Sequence, residues 1–426
     1  MATYSPAPER ATAWAEDASP RSTRKAQTDL VVYSHLRWSF VFQRPQHLMS
    51  RLARRGWRVH FIEEPVHTSG PARLECHSPM PGVSVVVPHT AVAAPGFHDD
   101  QIAVLEPLLA QYLQARGAQG GVAWLYTPMA LPVMKTAQPR VVVYDCMDEL
   151  SAFKDAPRQL RQREIALMKR ADLMFTGGPS LYAAKRDQHP NVHCLPSAVD
   201  AEHFSPGRLQ TASAPAQRAR SLQGALPGPR LGFYGVIDER LDLPLVTHLA
   251  DSRPDWQIVM VGPVVKIDPQ HLPRRPNLHW LGMQDYETLP YLMAGWDLCL
   301  MPFAMNESTR FISPTKTLEY MAGEKPVVST PVHDVVQLYS GLVAVADTSE
   351  AFVVACQTML DEPAQLRRKR AEAMLNAVFS RSWDYTVEAV HQLLETSCRQ
   401  SEAGLEQPVP AAATGTDDRV ALRRPA

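Results

Sequence analysis

The feature that most constrains the fold is an alternation, repeated in two blocks, of short apolar runs with longer amphipathic stretches. The first block contains the runs DLVVYS, RVHFIEEP and RVVVYDC, and the second contains RLGFYGV, WQIVMVGP and LCLMPF. Nearly continuous runs of Val, Ile and Leu between helical segments indicate parallel strands that are covered on both faces. The sequence therefore predicts an α/β protein with two doubly wound domains that face each other across a cleft.

Composition indicates where these domains begin and end. Residues 1–27 and 401–426 are rich in Ala, Pro, Ser and charged side chains without periodicity, which predicts disordered tails. Residues 206–229 are rich in Pro, Gly, Ser and Ala, which predicts a linker. This linker would separate an N-terminal domain at 28–205 from a C-terminal domain at 230–378.

Charge and cysteine content exclude several classes of protein. The 43 Lys and Arg residues nearly balance the 44 Asp and Glu residues, so no overall field gathers nucleic acid, and no nucleic-acid partner is expected. No apolar run approaches the ~20 residues of a membrane-spanning helix, and the first residues contain no apolar signal segment. The six cysteines are widely spaced and lack zinc-site spacing. We therefore expect a cytoplasmic protein with no metal and no cofactor.

The segment SPTKTLEYMAGEKPVVST gives the clearest indication of a binding site. Ser313 and Pro314 are typical of the cap and the first position of a helix. The free amides of Thr315 and Lys316 would then meet an anion, and the Lys316 ammonium adds a full positive charge. Glu319 lies on the same helical face and is able to accept the hydroxyls of a ribose. A capped helix with a surface Lys–Glu pair is the structural alternative.

A second phosphate-binding element is predicted at the start of the second block. The string GFYGVIDER contains Gly232 and Gly235 near the end of a predicted strand, where the absence of side chains lets the backbone approach a phosphate. Arg240, a few residues later, is able to clamp a diphosphate with two hydrogen bonds. A tight strand-to-helix turn is the alternative for both glycines.

Two aspartates follow a predicted buried strand of the first block, in the string VVVYDCMDELSAF. Asp148 lies farther into the loop and is the candidate catalytic carboxylate, with a helix N-cap as the equal alternative. Asp145 is expected to cap or turn the chain.

Loops of the first block are predicted to form one side of the cleft. His35, Arg37 and Trp38 follow the first strand, and Arg44 opens the next helix. Tyr126 ends another strand and is assigned to the same side. A polar cluster at this place in a doubly wound fold is more often directed to a ligand than not.

The segment APRQLRQREIALMKR predicts a basic amphipathic helix. It combines five Arg and Lys residues with an apolar stripe of Leu160, Ile165, Leu167 and Met168. Such a helix is able to rest on anionic lipid of the inner membrane. A solvated charged face is the alternative.

Together these motifs resemble the GT-B glycosyltransferases of the broad group 1 type. SPTKTLEYMAGEKPVVST resembles their C-terminal donor motif, and QRPQHLMSRLARRG, VVVYDCMDELSAF and RSWD extend the likeness from Asp29 to Glu395. Among such enzymes, the chain is most similar to bacterial transferases for surface polysaccharides, of the teichuronic-acid type or the xanthan glucuronosyltransferase type. The resemblance implies two Rossmann-like domains. It also implies transfer of a hexosyl or uronosyl group from a nucleoside-diphosphate-sugar, expected to be a UDP-sugar, to a glycan or lipid-linked acceptor. Because the sequence contains no metal-ligand cluster, this transfer is expected to be metal-independent.

The resemblance also implies roles for individual residues. Lys316 and Arg240 would contact the diphosphate and Glu319 the ribose. Asp148 matches the acid of a DExSAF-like pattern and would be the general base for the acceptor hydroxyl. The first-block loops described above would form the acceptor side of the cleft. The amphipathic residues 379–400 would form a helix that crosses back to the N-terminal domain.

One position departs from the family pattern. Retaining members carry a second Glu eight positions before the one that matches Glu319, and Phe311 stands there in this sequence. The nearest acid is Glu307. Either Glu307 replaces the missing Glu through a longer loop, or the donor sugar is held in a different way.

Two other functions are compatible with such a sequence. A nucleotide-sugar epimerase or hydrolase of the same fold would act on the donor without an acceptor. A two-domain sugar-binding protein, which is the less favoured alternative, predicts an export signal and has no need for the Lys316–Glu319 helix start.

Overall fold

The computed structural model describes residues 28–406, with side chains to residue 403. The predicted tails at 1–27 and 401–426 lie outside these residues, apart from the start of the second one. There the last helix continues to Glu406, beyond its predicted end at residue 400.

The N-terminal domain is built on a sheet that is parallel except for one antiparallel strand. Its spatial order is β3-β5-β2-β1-β6-β7-β8-β9, and the remaining strand, β4, pairs with β5. The strands are β1 (Asp29–Ser34), β2 (Arg58–Glu63), β3 (Val66–His67), β4 (Arg73–Met80), β5 (Val83–Thr90), β6 (Val122–Leu125), β7 (Val141–Cys146), β8 (Leu173–Thr176) and β9 (Val192–Cys194).

The C-terminal domain is built on an all-parallel sheet of the order β12-β11-β10-β13-β14-β15. The strands are β10 (Arg230–Tyr234), β11 (Gln257–Val261), β12 (Leu278–Trp280), β13 (Leu298–Met301), β14 (Val327–Ser329) and β15 (Ala344–Val345). In each sheet the order of the strands reverses beside the first strand, β1 or β10. Such a reversal opens a crevice at the carboxyl ends of the strands.

Helices cover both faces of the two sheets. They are α1 (Arg44–Arg54), α2 (Asp99–Arg116), α3 (Leu131–Met134), α4 (Leu160–Arg170), α5 (Pro179–Lys185), α6 (Ala201–Phe204), α7 (Ala214–Gln223), α8 (Leu243–Ser252), α9 (Leu289–Ala294), α10 (Thr315–Ala322), α11 (His333–Tyr339), α12 (Ser349–Leu360), α13 (Ala364–Phe379) and α14 (Trp383–Glu406). Within the described chain, every helix is too short or too polar to span a lipid bilayer.

Each sheet is buried between two apolar clusters. In the N-terminal domain, one cluster joins β1 and β7 to α2, and the other joins the opposite face to α1 and α14. In the C-terminal domain, the two clusters lie beneath α9 to α11 and beneath α8 and α12. Because the strands are apolar on both faces, their sequence already indicated this arrangement.

The chain crosses between the domains twice, at adjacent places. The first crossing follows β9, and the second lies between α13 and α14, where Val199 pairs with Ser382 as an isolated parallel bridge. The Val199 amide donates to the Arg381 carbonyl at 2.9 Å. Val199 and Phe204 already pack in the C-terminal core, whereas Trp383 of α14 packs in the N-terminal core.

Two segments take structures that their sequences did not indicate. Residues 206–229, expected as a linker, contain α7, whose Ala219 packs in the C-terminal core. Strand β4, with the sequence RLECHSPM, was not predicted because most of its side chains are exposed, and it lacks the apolar run on which the other strands were recognised.

Candidate functional site

A cavity of about 500 Å³ lies between the domains, at the carboxyl ends of the central strands. Loops after β1 and β7 form its N-terminal wall, and loops after β10, β11 and β13 together with the start of α10 form its C-terminal wall. Nine of the predicted site residues line this cavity: Trp38, Arg44, Asp148, Gly235, Arg240, Ser313, Thr315, Lys316 and Glu319.

Helix α10 begins at the cavity, one residue later than the sequence predicted. Pro314 has φ −66° and ψ 116°, so it is the extended cap residue and Thr315 is the first helical residue. Ser313 was predicted as the N-cap, and this was wrong: the residue lies one position too early, and the helix has no side-chain cap. The Ser313 carbonyl instead accepts a hydrogen bond from Ser197 Oγ of the N-terminal domain at 2.6 Å. The first amides of α10 still lack acceptors within the helix, so they are available to an anion.

Lys316 reaches the cavity over Gly235, which directly follows β10. Gly235 has φ +146°, and a Cβ there would lie 2.9 Å from Lys316 Cε, so any side chain would displace the lysine. Gly262, at the end of β11, has φ +149°, and its Cβ would overlap the Gly235 carbonyl oxygen. The Lys316 ammonium also lies 5.4 Å from the Phe233 ring and 5.1 Å from the Phe303 ring. Burial, together with the Arg240 charge, lowers the pKa of Lys316.

Gly232 does not approach the cavity. It lies inside β10, and a Cβ at this position would overlap the indole of Trp296. Its lack of a side chain therefore serves close packing within the C-terminal core, which corrects the phosphate-binding interpretation of this glycine.

Glu319 lies one turn into α10 and is only 8% exposed. Tyr234 Oη donates to Glu319 Oε2 at 2.7 Å, and the Tyr234 amide in turn donates to Tyr320 Oη at 3.0 Å. Burial raises the pKa of Glu319. The carboxylate thus has one oxygen fixed by the protein and a position on the cavity wall, so it is able to accept a ligand hydroxyl.

Arg240 is fixed by an aspartate two residues before it. Its Nε and Nη2 donate to Asp238 Oδ1 at 3.0 Å and Oδ2 at 2.7 Å. This bidentate pair holds one edge of the guanidinium and leaves Nη1 outside the pair. The arrangement suits a planar cation that contacts an anion in the cavity.

Asp148 and Asp145 have different surroundings although they follow the same strand. Asp145 is fully buried, and Arg44 donates to both of its oxygens at 2.9 to 3.1 Å. Asp145 was expected to cap or turn the chain, whereas the structure pairs it with Arg44 beneath the cavity floor. Asp148 lines the cavity, and burial raises its pKa to about 6 although the Arg240 and Arg44 charges oppose this. Such a carboxylate exchanges a proton near neutral pH.

Four predicted site residues lie outside the lining of the cavity. His35 is partly buried, and its pKa is lowered to about 4 by burial and by the Lys266 charge. Arg37 pairs with Glu63 at 3.0 Å, and Tyr126 is enclosed in the N-terminal core. The Glu307 side chain is 78% exposed and lies 3.8 Å from Arg310.

Other cavity residues were not identified from the sequence. Tyr234 and Gly262 lie at the carboxyl ends of β10 and β11, as Gly235 does. The runs GFYG and VMVG therefore already indicated residues that face a ligand at the strand ends. Ser197 gave no signal. It accepts from Thr315 Oγ1 at 3.1 Å, so it joins the N-terminal domain to the first residue of α10.

The side chains that commonly bind metal ions are dispersed in the described part of the chain. Within residues 28–406, no group of three or more His, Cys, Asp and Glu side chains is placed to hold a metal ion. The six cysteines are all unpaired.

Sequence comparison agrees with this geometry. The family described as Glycosyl transferases group 1 matches residues 232–362, which contain Gly235, Arg240, Lys316 and Glu319. TuaH of Bacillus subtilis (strain 168), a candidate teichuronic acid biosynthesis glycosyltransferase, is 26% identical over 313 residues. The match covers 66% of this chain and 76% of TuaH.

Similar solved structures have the same two-domain architecture. Sucrose-phosphate synthase from Thermosynechococcus elongatus has a TM-score of 0.64 at 18% identity, and the match covers 88% of this chain and 100% of that chain. Anabaena Alr3699/HepE, solved in complex with UDP and glucose, has a TM-score of 0.62 at 15% identity, with 87% and 100% covered. The predicted GT-B fold is thereby confirmed. The protein is a glycosyltransferase of the GT-B fold, and residues 232–362 match the group 1 family.

Proposed function

We propose that the protein transfers a hexosyl or uronosyl group from a UDP-sugar to a hydroxyl of a glycan or lipid-linked acceptor, without a metal ion. The observation that carries this proposal is the convergence of Lys316, Arg240 and the start of α10 on one wall of the cavity. Two cations and a helix start neutralise a diphosphate as it leaves. The UDP bound to HepE supports the donor, and the role in teichuronic acid biosynthesis that the name of TuaH gives supports the acceptor class.

In the proposed reaction the acceptor oxygen forms a bond to the anomeric carbon, and the bond from that carbon to the diphosphate oxygen breaks. Asp148 takes the hydroxyl proton, and the electron pair of the broken bond remains on the diphosphate. Lys316 and Arg240 stabilise this charge, while Glu319 accepts a hydrogen bond from the ribose. The acceptor lies against the N-terminal wall, near Trp38.

The donor is tested by a thermal-shift panel of UDP, ADP and GDP, with and without EDTA. We expect UDP to raise the melting temperature most, because binding to the folded state alone adds stability according to ligand concentration over Kd. EDTA is expected to leave the shift unchanged. A larger shift with ADP or GDP would exclude UDP as the preferred nucleotide, and loss of the UDP shift in EDTA would exclude metal-free binding.

We also propose that α4 contacts anionic lipid, which suits a lipid-linked acceptor. Leu160, Leu167 and Met168 face the N-terminal core, so the predicted apolar stripe is not available to a membrane. The exposed face instead carries Arg161 and Lys169 beside Ile165, whose exposure is 53%. Basic side chains near an anionic surface contribute about 1 kcal/mol each.

Vesicle sedimentation tests this contact. We expect the protein to bind phosphatidylglycerol vesicles and not phosphatidylcholine vesicles. The double variant Arg161→Glu, Lys169→Glu is expected to lose at least tenfold in affinity, since it replaces two attractions with two repulsions. The matched control is Arg368→Glu, Lys369→Glu, which changes two exposed basic residues of α13. Equal binding by the α4 variant and the wild type would remove α4 as the contact.

A further inference from the structure

The loop that carries Asp148 reaches across the cleft to the C-terminal domain. After Asp148 the chain forms a 3₁₀ turn at Leu150–Ala152, and Phe153 follows it. The next amide, that of Lys154, donates to Glu239 Oε1 at 3.3 Å. Asp155 has φ +61°, a conformation that Asp adopts more readily than most residues, and it turns the chain back. The tip of this N-terminal loop therefore rests on the loop that holds Arg240.

Phe153 lies against two cations of the opposite domain. The Arg240 guanidinium carbon is 5.3 Å from the centre of the Phe153 ring, and Lys266 Nζ is 4.9 Å from it. Both distances are within the range of a cation–π attraction. Since Asp238 already holds one edge of the Arg240 guanidinium, the ring supplies a second restraint that comes from the other domain.

We propose that Phe153 is a positioning residue that fixes the Arg240 guanidinium for the donor diphosphate when the two domains are closed. This inference rests on the proposed function. Because Asp148 and Phe153 belong to one loop, docking of the ring sets the base and the diphosphate clamp together. Opening of the cleft would withdraw the ring, so Arg240 would be fully restrained only in the closed form.

Titration calorimetry with UDP tests the effect on Arg240. Phe153→Leu keeps an apolar side chain but removes the π face, and we expect UDP affinity to fall roughly 3- to 10-fold. Phe153→Tyr retains the face and should stay within twofold of the wild type. In an Arg240→Met background, Phe153→Leu should change the affinity less than twofold further. The control is Lys154→Ala, which removes an exposed side chain and keeps the backbone amide.

Thermal unfolding measured without UDP distinguishes the role of Phe153 from the proposed function. Phe153 contacts Arg240 and Lys266 directly. Phe153→Leu should therefore lower the melting temperature measured without UDP, and the double substitution Arg240→Met, Lys266→Met should abolish this effect. If the wild type binds UDP and Phe153→Leu binds it equally well, only the role of Phe153 is overturned. The same holds if Phe153→Leu lowers UDP affinity by the same factor in the Arg240→Met background as in the wild type. If the wild type does not bind UDP, the proposed function itself is wrong, and the role of Phe153 falls with it.

Discussion

Replacement of Lys316 by methionine is expected to weaken UDP binding by roughly 30-fold to several thousand-fold. Removal of one partner from a buried, hydrogen-bonded charge pair costs about 2–5 kcal/mol, and each 1.4 kcal/mol is tenfold in affinity. The same change should leave the melting temperature of the unliganded protein unchanged or raised. Methionine has a similar length, and it removes an amine whose burial is unfavourable without a bound anion. Calorimetry with UDP and thermal unfolding measure the two effects.

The pH dependence of UDP binding gives a second test of Lys316. Burial lowers the pKa of its ammonium, whereas a bound diphosphate favours the protonated form. UDP affinity should therefore fall as pH rises through the alkaline range, earlier than for an exposed lysine, and Lys316→Met should lack this slope. Lys369→Met, an exposed change on α13, serves as the control. Binding by Lys316→Met within threefold of the wild type would show that another group holds the diphosphate.

Asp148→Asn is expected to reduce turnover by about 10²- to 10⁴-fold, the range of a general base, with UDP affinity within threefold of the wild type. In the wild type, kcat/KM should fall as pH decreases through about 6, because protonated Asp148 cannot accept the hydroxyl proton. Asp155→Asn is the matched control, since it is exposed, lies on the same loop and keeps a residue type that tolerates positive φ. Normal turnover by Asp148→Asn would exclude it as the base.

Asp148→Asn should also stabilise the folded protein at alkaline pH. Burial raises the pKa of Asp148 to about 6, so the folded state holds this proton more tightly than the unfolded state, whose carboxyl titrates near 3.9. The stability from the proton is present below the unfolded pKa and is lost as pH rises through 6. Asparagine carries no charge, so Asp148→Asn should melt at least about 2 °C above the wild type at pH 8, with a smaller gain at pH 5. A lower melting temperature at pH 8 would contradict a burial penalty.

The parallel strands and the helix start at the cavity could be predicted because each depends on local sequence. Runs such as RVVVYDC are apolar at successive positions, as strands buried on both faces require. Pro314 has a φ near −65° both as a cap and as a first helical residue, so the sequence did not distinguish the two positions, and the prediction was early by one residue.

The remaining parts of the site depend on contacts between distant residues. Arg44 and Asp145 are 101 residues apart, and nothing local in either segment indicates that they pair. The contact of Phe153 with Arg240 and Lys266 joins two domains and likewise has no local pattern. Strand β4 was missed for a different reason, because an exposed antiparallel strand needs few apolar side chains.

A crystal structure of the complex with UDP tests the central claim most directly. We expect density for the diphosphate between Lys316 and Arg240 at the first turn of α10, with the ribose hydroxyls within hydrogen-bonding distance of Glu319. Density for the nucleotide in another part of the molecule, or a diphosphate that contacts neither cation, would contradict it.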